Sequence, residues 1–142
     1  MDLTGAIVLL LEDDPSHRTV TQVMLERLGA EVLLAANGAE GLDQLRRRTP
    51  DLILCDLRMP GMDGLEFARR VRAHPTHRRA RLFALTAVDP WESALKTWSV
   101  GFDAHLIKPV TVETLAALNR FLAPPLRPPN RPPPLSPGPA EP

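Results

Sequence analysis

The chain is poor in cysteine and has no apolar stretch long enough to cross a membrane. Cys55 is its only cysteine, which excludes an internal disulfide and any metal site built from several cysteines. Because Cys55 lies within an apolar run, we expect it to be a small core residue. No apolar stretch reaches the roughly 18 residues that span a bilayer, and no basic region precedes an apolar one at the N-terminus. We therefore expect a cytoplasmic protein without a membrane partner.

The chain also lacks a net charge. Its 17 basic residues match its 17 acidic residues, so no overall field draws it to nucleic acid or to an anionic membrane surface. Three short basic clusters do occur, and their simplest interpretation is a solvent-exposed helix face. They lie at residues 46–48, 69–70 and 78–79. We expect no direct contact with nucleic acid.

Proline, in contrast, is abundant near the C-terminus. The 142 residues suffice for one domain of ordinary size, and a hydrophobic content of 44% suffices for a core. The composition changes after residue 123, and 10 of the 19 residues at 124–142 are proline, which lacks the N–H group that helices and sheets need. We therefore predict one folded domain at 1–123 and a disordered proline-rich tail at 124–142. Residues 131–137 fit a PxxP docking pattern, although a plain flexible tail is the simpler interpretation.

Two hydrophobic periodicities alternate along the predicted domain. Five short apolar runs are typical of strands, and apolar residues between them recur at helical spacing. The predicted strands lie at residues 6–11, 32–35, 52–55, 82–85 and 105–107. The predicted helices begin near residues 15, 39, 64, 90 and 112. This alternation predicts an α/β fold with a doubly wound, five-stranded parallel sheet that is covered on both faces.

The first helix carries the most detailed prediction. Asp14 can cap its N-terminus and Pro15 fits its first turn. Four apolar residues mark the face that we expect to pack against the sheet. They are Val20, Val23, Met24 and Leu28.

Polar residues follow four of the apolar runs where each predicted strand ends. Glu12 and Asp13 follow the first strand, Asp56 the third, Thr86 the fourth and Lys108 the fifth. In a doubly wound sheet, ligands bind beyond the carboxyl ends of the strands. An acidic run alone is usually no more than the start of a helix, but the common position of these residues predicts one shared pocket.

Such a pocket suits a divalent cation and a phosphoryl group. Two carboxylates 4 Å apart repel by roughly 4 kcal/mol at an effective dielectric of 20, and a proton, a lysine or a cation relieves that repulsion. Carboxylate oxygens at an open edge suit Mg²⁺, which shares its shell with phosphate oxygens. Lys108 adds a positive charge and Thr86 a hydroxyl donor. Asp56 is then placed as a nucleophile toward phosphorus, forming an acyl phosphate.

Four segments around these residues resemble the receiver domains of two-component response regulators, the CheY-like family. The segments lie at residues 11–15, 56–64, 85–87 and 101–109. The second one, Asp-Leu-Arg-Met-Pro-Gly-Met-Asp-Gly, is close to a family signature by itself. The resemblance covers residues 6–123 and implies a single flavodoxin-like (βα)₅ domain.

The resemblance also implies a role for each acidic residue. Asp56 would accept a phosphoryl group from a histidine kinase or a phosphotransfer protein. Asp13 and Asp56 would bind Mg²⁺ directly, the backbone carbonyl of Arg58 would be a further ligand, and Glu12 would act through water. The positions of Arg58 and Val88 tune dephosphorylation in the family.

The ends of the fourth and fifth predicted strands carry the remaining implied roles. Thr86 and Lys108 would contact the phosphoryl oxygens, and the Lys108–Pro109 bond is expected to be cis. Three residues before the lysine the family usually has Tyr or Phe, a ring that moves inward with the threonine. This chain has His105, whose charge changes near pH 6.5. We hypothesise a pH-sensitive switch at His105, with a partly exposed strand-end histidine as the simpler alternative.

The leading functional prediction is a stand-alone receiver that binds a partner or passes the phosphoryl group on, with no enzyme activity beyond its own phosphorylation and dephosphorylation. The resemblance places the partner face on the helix from residue 90, the fifth strand and the fifth helix. Trp91 and Trp98 lie in that helix, and their spacing favours the core for at least one of them.

Three alternatives remain. An aspartate-nucleophile phosphatase needs a second aspartate two residues after the nucleophile, where Arg58 stands. A dinucleotide-binding domain needs a glycine-rich turn after the first strand, where the acidic run stands. A receiver that is never phosphorylated would be a plain interaction module, although every pocket residue is present.

Overall fold

The computed structural model of the protein describes residues 3–87 and 99–122, which form five β-strands and four α-helices. The strands are β1 Ile7–Leu11, β2 Glu31–Ala35, β3 Leu52–Asp56, β4 Arg81–Thr86 and β5 Ala104–Ile107. The helices are α1 Pro15–Arg27, α2 Gly38–Arg47, α3 Gly64–Ala73 and α4 Val112–Ala116. Each predicted strand is confirmed, with ends that differ by no more than one residue. Residues 90–98 of the predicted fourth helix, Val88 and the tail at 124–142 lie outside the described residues.

The five strands form one parallel sheet in the order β2-β1-β3-β4-β5. This order confirms the predicted doubly wound topology. From β1 the chain turns to one side to reach β2 and then crosses to the other side to form β3. The strand order therefore reverses between β1 and β3, which is where a ligand site is expected.

Two apolar clusters cover the two faces of the sheet. Because side chains alternate between faces along a strand, Leu54 of β3 belongs to one cluster and Ile53 to the other. All five residues of β3 are buried, as a central parallel strand requires. Cys55 lies in the second cluster, where burial raises the pKa of its thiol well above the ordinary value. The expectation that Cys55 is a core residue is confirmed.

The predicted start of α1 is confirmed, but its predicted buried face is wrong in part. The Asp14 carboxylate caps the helix by accepting from the backbone N–H of Ser16 at 2.8 Å. The exposed fraction is 57% for Val20 and 40% for Val23, whereas Thr21 and Leu25 are buried. The prediction misplaced the buried face because it treated Thr21 as polar. The methyl group of a threonine packs as an apolar group, so Thr21 can lie against the sheet. Val20 and Val23 are thereby left at the surface.

The last helical run begins at the predicted position but remains an α-helix for only 5 residues. The α-helix α4 ends at Ala116, and residues Ala117–Leu122 continue as a 3₁₀ helix. Leu115, Leu118 and Phe121 are buried, at the three-residue spacing that places side chains on one face of a 3₁₀ helix. In the part of the chain that the structure describes, no helix is long and apolar enough to cross a membrane.

Candidate functional site

The carboxyl ends of β1, β3 and β5 bring the predicted charged residues together. Asp56 is the last residue of β3 and is 5% exposed. Lys108 directly follows β5, and its ammonium group lies between two carboxylates. Its Nζ donates to Asp56 Oδ2 at 2.7 Å and lies 3.0 Å from Glu12 Oε1. One lysine therefore connects the two strands at which the sheet order reverses.

The second carboxylate oxygen of Asp56 is held by the loop that follows β3. The backbone N–H of Arg58 donates to Asp56 Oδ1 at 3.0 Å. A buried carboxylate needs hydrogen bonds to both of its oxygens, because an unpaired buried charge is costly. The Arg58 side chain is exposed. The predicted part of its carbonyl group in metal binding stays a prediction.

Three carboxylates form a cluster that is open to solvent on one side. One carboxylate oxygen each of Glu12, Asp13 and Asp56 lies within 4.8 Å of the others. Glu12 and Asp56 are buried, whereas Asp13 is exposed. Hard oxygen donors with one open side are what Mg²⁺ prefers, since it keeps several waters. The residues present therefore fit the predicted magnesium ion.

The electrostatics of the site depend on burial as well as on charge. Burial raises the pKa of Glu12, and the nearby Asp56 carboxylate raises it further. Lys108 lowers this pKa without cancelling the rise. Burial alone would lower the pKa of Lys108, but its hydrogen bonds to Asp56 and Glu12 outweigh burial, and its pKa is raised. Lys108 is therefore a firmly charged group that lies beside more negative charge than it can neutralise.

Thr86 and His105 lie on neighbouring strands beside this cluster. Thr86 is the buried last residue of β4, and its carbonyl accepts from the backbone N–H of Lys108 at 2.9 Å. His105 pairs with Ala84 in the sheet, so strand alternation places the side chains of His105 and Thr86 on the same face. His105 is half-buried, and burial lowers its pKa. Thr86 and His105 are therefore neighbours, which the proposed switch requires.

The loop after β1 is braced by contacts that the sequence patterns did not indicate. The guanidinium of Arg18 in α1 donates to the backbone carbonyl of Glu12 at 2.9 Å. The backbone N–H of Asp14 donates to Glu12 Oε2 at 3.3 Å. These two bonds orient Glu12 toward the cluster. Arg18 has no distinguishing neighbours along the chain, so only the folded structure identifies it.

Gly64 is a second residue that the sequence analysis did not assign to the site. A Cβ atom at this position would lie 2.5 Å from the carbonyl oxygen of Asp56 and 2.8 Å from Leu57 Cα. The backbone N–H of Gly64 also donates to the carbonyl of Leu57 at 3.0 Å. Only glycine lets the start of α3 approach the end of β3 this closely. In the sequence, the indication of this role was the glycine at the end of the 56–64 segment.

The turn after β5 has the predicted backbone geometry. The Lys108–Pro109 peptide bond is cis, which confirms the expectation for this pair.

The structure brings together Glu12, Asp13, Asp56 and Lys108 in one site, with Thr86 at its side.

Comparison with known families identifies the segment that carries this site. Residues 8–120 match the family model described as "Response regulator receiver domain". The match runs from the second residue of β1 into the 3₁₀ helix that follows α4.

Curated relatives include proteins of very different lengths. The chain is 36% identical over 117 residues to the transcriptional regulatory protein ZraR of Escherichia coli O157:H7, a match that covers 82% of this chain and 26% of ZraR. It is 40% identical over 103 residues to a 14.6 kDa protein of Leptolyngbya boryana, covering 72% of this chain and 79% of that protein. The chain thus spans about a quarter of the length of ZraR.

Solved structures share both the fold and the extent of the domain. The chemotaxis response regulator CheY4 of Vibrio cholerae superposes with a TM-score of 0.77 at 34% identity, covering 83% of this chain and 99% of that one. The receiver domain of the sensor histidine kinase PA1611 from Pseudomonas aeruginosa PAO1, which has a magnesium ion coordinated in its active site cleft, gives 0.76 at 33% identity. That match covers 82% of this chain and 96% of the other.

Proposed function

Because the chain belongs to the response regulator receiver domain family of two-component signalling, we propose that it switches by accepting a phosphoryl group on Asp56. The observation that carries this proposal is the contact of Lys108 Nζ with Asp56 Oδ2 at 2.7 Å, beside the further carboxylates of Glu12 and Asp13. A buried aspartate at a strand end, with a fixed cation and a cluster of oxygen donors, is suited to hold the added charge of a phosphoryl group.

The transfer step uses groups whose positions are described above. A carboxylate oxygen of Asp56 attacks phosphorus on a phosphohistidine of a histidine kinase or phosphotransfer protein. The new O–P bond replaces the P–N bond, and the donor imidazole leaves with the electron pair and takes up a proton. Lys108 balances charge on the phosphoryl oxygens, and the Thr86 hydroxyl donates to one of them.

We propose that Glu12, Asp13 and Asp56 hold the Mg²⁺ ion that this step needs, together with the backbone carbonyl of Arg58. When bound, the ion supplies positive charge to the transferring phosphoryl group. The donor set on this chain supports the proposal, and so does the magnesium ion in the cleft of the PA1611 receiver domain.

We further propose that the receiver acts in the cytoplasm as a stand-alone switch that changes its affinity for a separate protein. The matches to receiver-sized proteins support this form, since this chain covers 99% of CheY4 and 79% of the Leptolyngbya protein. β5 and α4 belong to the described part of the proposed partner face. No enzyme activity is proposed beyond phosphorylation and dephosphorylation of Asp56 itself.

Two alternatives fit the site less well. An aspartate-nucleophile phosphatase needs a carboxylic acid two residues after Asp56, and the residue there is Arg58 with an exposed side chain. A receiver that is never phosphorylated has no need to place Lys108 between two buried carboxylates. Burying charged groups costs stability, and such a receiver would gain no function in return.

One experiment tests the leading proposal. The full chain is incubated with Mg²⁺ and acetyl phosphate, and its intact mass is followed with wild type, Asp56→Asn and Asp43→Asn. We expect one added phosphoryl group, stable in acid and labile in base, in wild type and Asp43→Asn but not in Asp56→Asn. A wild type that gains no mass, or an adduct that persists in Asp56→Asn, overturns the proposal. Continuous hydrolysis of a phosphoester would instead favour the phosphatase.

A further inference from the structure

The three arginine clusters of the sequence lie close together in the folded chain. Two of them are on neighbouring helices, at the end of α2 and in α3, and the third is in the loop that leads from α3 into β4. His77 in this loop is buried, and its Nε2 donates to the carbonyl of Leu45 near the end of α2 at 2.9 Å. Arg72 Nη1 of α3 donates to the carbonyl of Arg78 at 2.9 Å. The loop is thereby fixed to both helices, and the clusters share one surface. This surface, the basic face, consists of residues 43–48 and 66–80.

The basic face carries a net charge although the whole chain has none. It contains eight of the 17 basic residues and two of the 17 acidic ones, which leaves six positive charges. The Asp43 carboxylate lies 2.9 Å from the Arg46 guanidinium and 3.2 Å from that of the next residue, so two cations share it. Glu66 is shared in the same way by two arginines of α3. Among the described ion pairs, two more arginines pair with carboxylates outside the face, Glu31 and Asp103, which leaves four positive charges.

The ends of α2 and α3 explain only part of this charge. The carboxyl end of a helix favours cations, because its last carbonyl groups carry partial negative charge, and the last turn of each helix holds two arginines. Arg78 and Arg79 lie beyond α3, however, and both are exposed. A surface that keeps like charges together is complementary to a partner of opposite charge.

An apolar cleft of about 240 Å³ opens within the basic face, between α2 and α3. Its apolar lining consists of Leu42, Leu45 and Val71. The remaining lining residues are exposed and basic, namely Arg46, Arg70 and His74. Typical pockets for small molecules measure roughly 300–1,000 Å³, so this cleft suits one apolar side chain better than a whole small molecule.

We propose that the basic face binds an acidic segment of a partner protein, with one large apolar side chain of that segment in the cleft and carboxylates on Arg46 and Arg70. A guanidinium group binds a carboxylate through two parallel hydrogen bonds, and an apolar anchor in a pocket adds the stabilisation of burial. A nucleic acid would be attracted by the same arginines, but its backbone has no apolar group that fits a cleft of leucine and valine side chains.

The basic face is separate from the carboxylate cluster. Residues 74–80 precede β4, so they lie at the edge of the sheet opposite to the strand ends that carry Asp56 and Lys108. A partner bound there leaves the carboxylate cluster open. The contact can therefore be measured without phosphorylation of Asp56.

A peptide titration tests both parts of the proposed contact. The ¹⁵N-labelled full chain is titrated with an acetylated and amidated heptapeptide in which one leucine has three glutamates on either side. We expect the amide signals of Leu42, Arg46, Arg70 and His74 to shift. A peptide with serine in place of the leucine should bind about tenfold more weakly, because it cannot fill the cleft. A peptide with lysines in place of the glutamates should cause no shifts.

Two double variants with the same change in net charge then locate the contact. Arg46→Glu with Arg70→Glu reverses two exposed charges beside the cleft, whereas Arg27→Glu with Arg120→Glu reverses two exposed charges on α1 and the 3₁₀ helix. We expect the first to weaken binding of the leucine peptide at least tenfold and the second to leave it nearly unchanged. The amide spectra of the free variants show that each is folded, and Arg46→Gln with Arg70→Gln should give a smaller loss in the same direction.

Four outcomes would overturn the proposal. They are an absence of shifts with the leucine peptide, equal affinity for the serine peptide, equal weakening in both charge-reversed variants, and tighter binding of a twelve-residue oligothymidylate than of the leucine peptide at the basic face. The last outcome would identify the face as a site for single-stranded nucleic acid.

Discussion

Lys108 Nζ lies 2.7 Å from Asp56 Oδ2 although β4 stands between their two strands in the sheet. The lysine follows β5, so its side chain reaches across the carboxyl end of β4 to the end of β3. There it also lies 3.0 Å from Glu12 Oε1, at the end of β1. The charge balance of the site thus depends on one side chain that connects three strand ends.

Replacing Lys108 by alanine should therefore impair phosphorylation strongly. The phosphoryl group adds negative charge next to two buried carboxylates, and removing a fixed donor from such a site typically lowers the rate about 100- to 1000-fold. The rate of adduct formation with acetyl phosphate in Mg²⁺ measures the effect. Arg69→Ala, which removes an exposed positive charge on the surface of α3, is the control. Equal rates in wild type and Lys108→Ala would contradict the assigned role.

Asp13→Asn should raise stability in the absence of metal and abolish stabilisation by Mg²⁺. The cluster holds three carboxylates against one lysine, so removing one negative charge relieves repulsion. The same change removes an oxygen donor that the ion needs. Thermal midpoints with EDTA and with Mg²⁺ test both effects, and we expect a rise of a few degrees with EDTA. The control Asp43→Asn, on α2 away from the site, should keep the response to Mg²⁺.

The strand ends and the charged residues at them could be predicted from the sequence, because apolar runs are local and parallel strands end at one edge. The buried face of α1 could not. Its orientation depends on how Thr21 and Leu25 pack against residues distant in sequence. Gly64 was visible only as part of a segment, since its close approach to Asp56 is a property of the folded chain. The role of Arg18 could not be predicted either, because its partner is the backbone carbonyl of Glu12, which lies outside α1.

Gly64→Ala should destabilise the fold and slow phosphorylation together. The added methyl group would lie 2.5 Å from the Asp56 carbonyl oxygen, so β3 and α3 must move apart, at a cost of about 1–3 kcal/mol. Gly61→Ala is a useful control because no atom lies within 4 Å of its added Cβ, while its φ of +75° still strains alanine. We expect both variants to lose stability in urea. Only Gly64→Ala should also slow adduct formation; normal adduct formation in this variant would contradict the assigned close approach.

His105 should make the fold less stable in mild acid. Burial lowers its pKa below the ordinary 6.5, so the folded state favours the neutral ring. Above pH 6.5 the ring is neutral in both states and has no effect. As the pH falls through 6.5, the unfolded chain takes up the proton first, and stability decreases until the folded-state pKa is reached. Denaturation curves from pH 8 to pH 5 should show wild type losing stability relative to His105→Phe. Parallel pH profiles would remove the basis for a pH-sensitive switch at this position.

Arg72 in α3 should matter more for stability than the neighbouring Arg70. Arg72 Nε donates to the carbonyl of Gly101 at 2.9 Å, Nη1 to that of Ala80 at 2.7 Å, and Nη2 lies 3.2 Å from the buried Asp103 carboxylate. It thereby joins α3 to the starts of β4 and β5. Arg70, in contrast, pairs with Glu66 at the surface, and such exposed pairs contribute little.

Arg72→Met should therefore lower the free energy of unfolding by about 3 kcal/mol, because it removes the ion-pair partner of a buried charge. Arg70→Met, a substitution of the same size on the same helix, should leave it nearly unchanged. Guanidinium denaturation of both variants provides the measurement. Since Arg72 lies outside the carboxylate cluster, its variant should still form the phosphoryl adduct under conditions in which it remains folded. Similar losses for Arg70→Met and Arg72→Met would show that the contacts of Arg72 contribute no more than a surface ion pair.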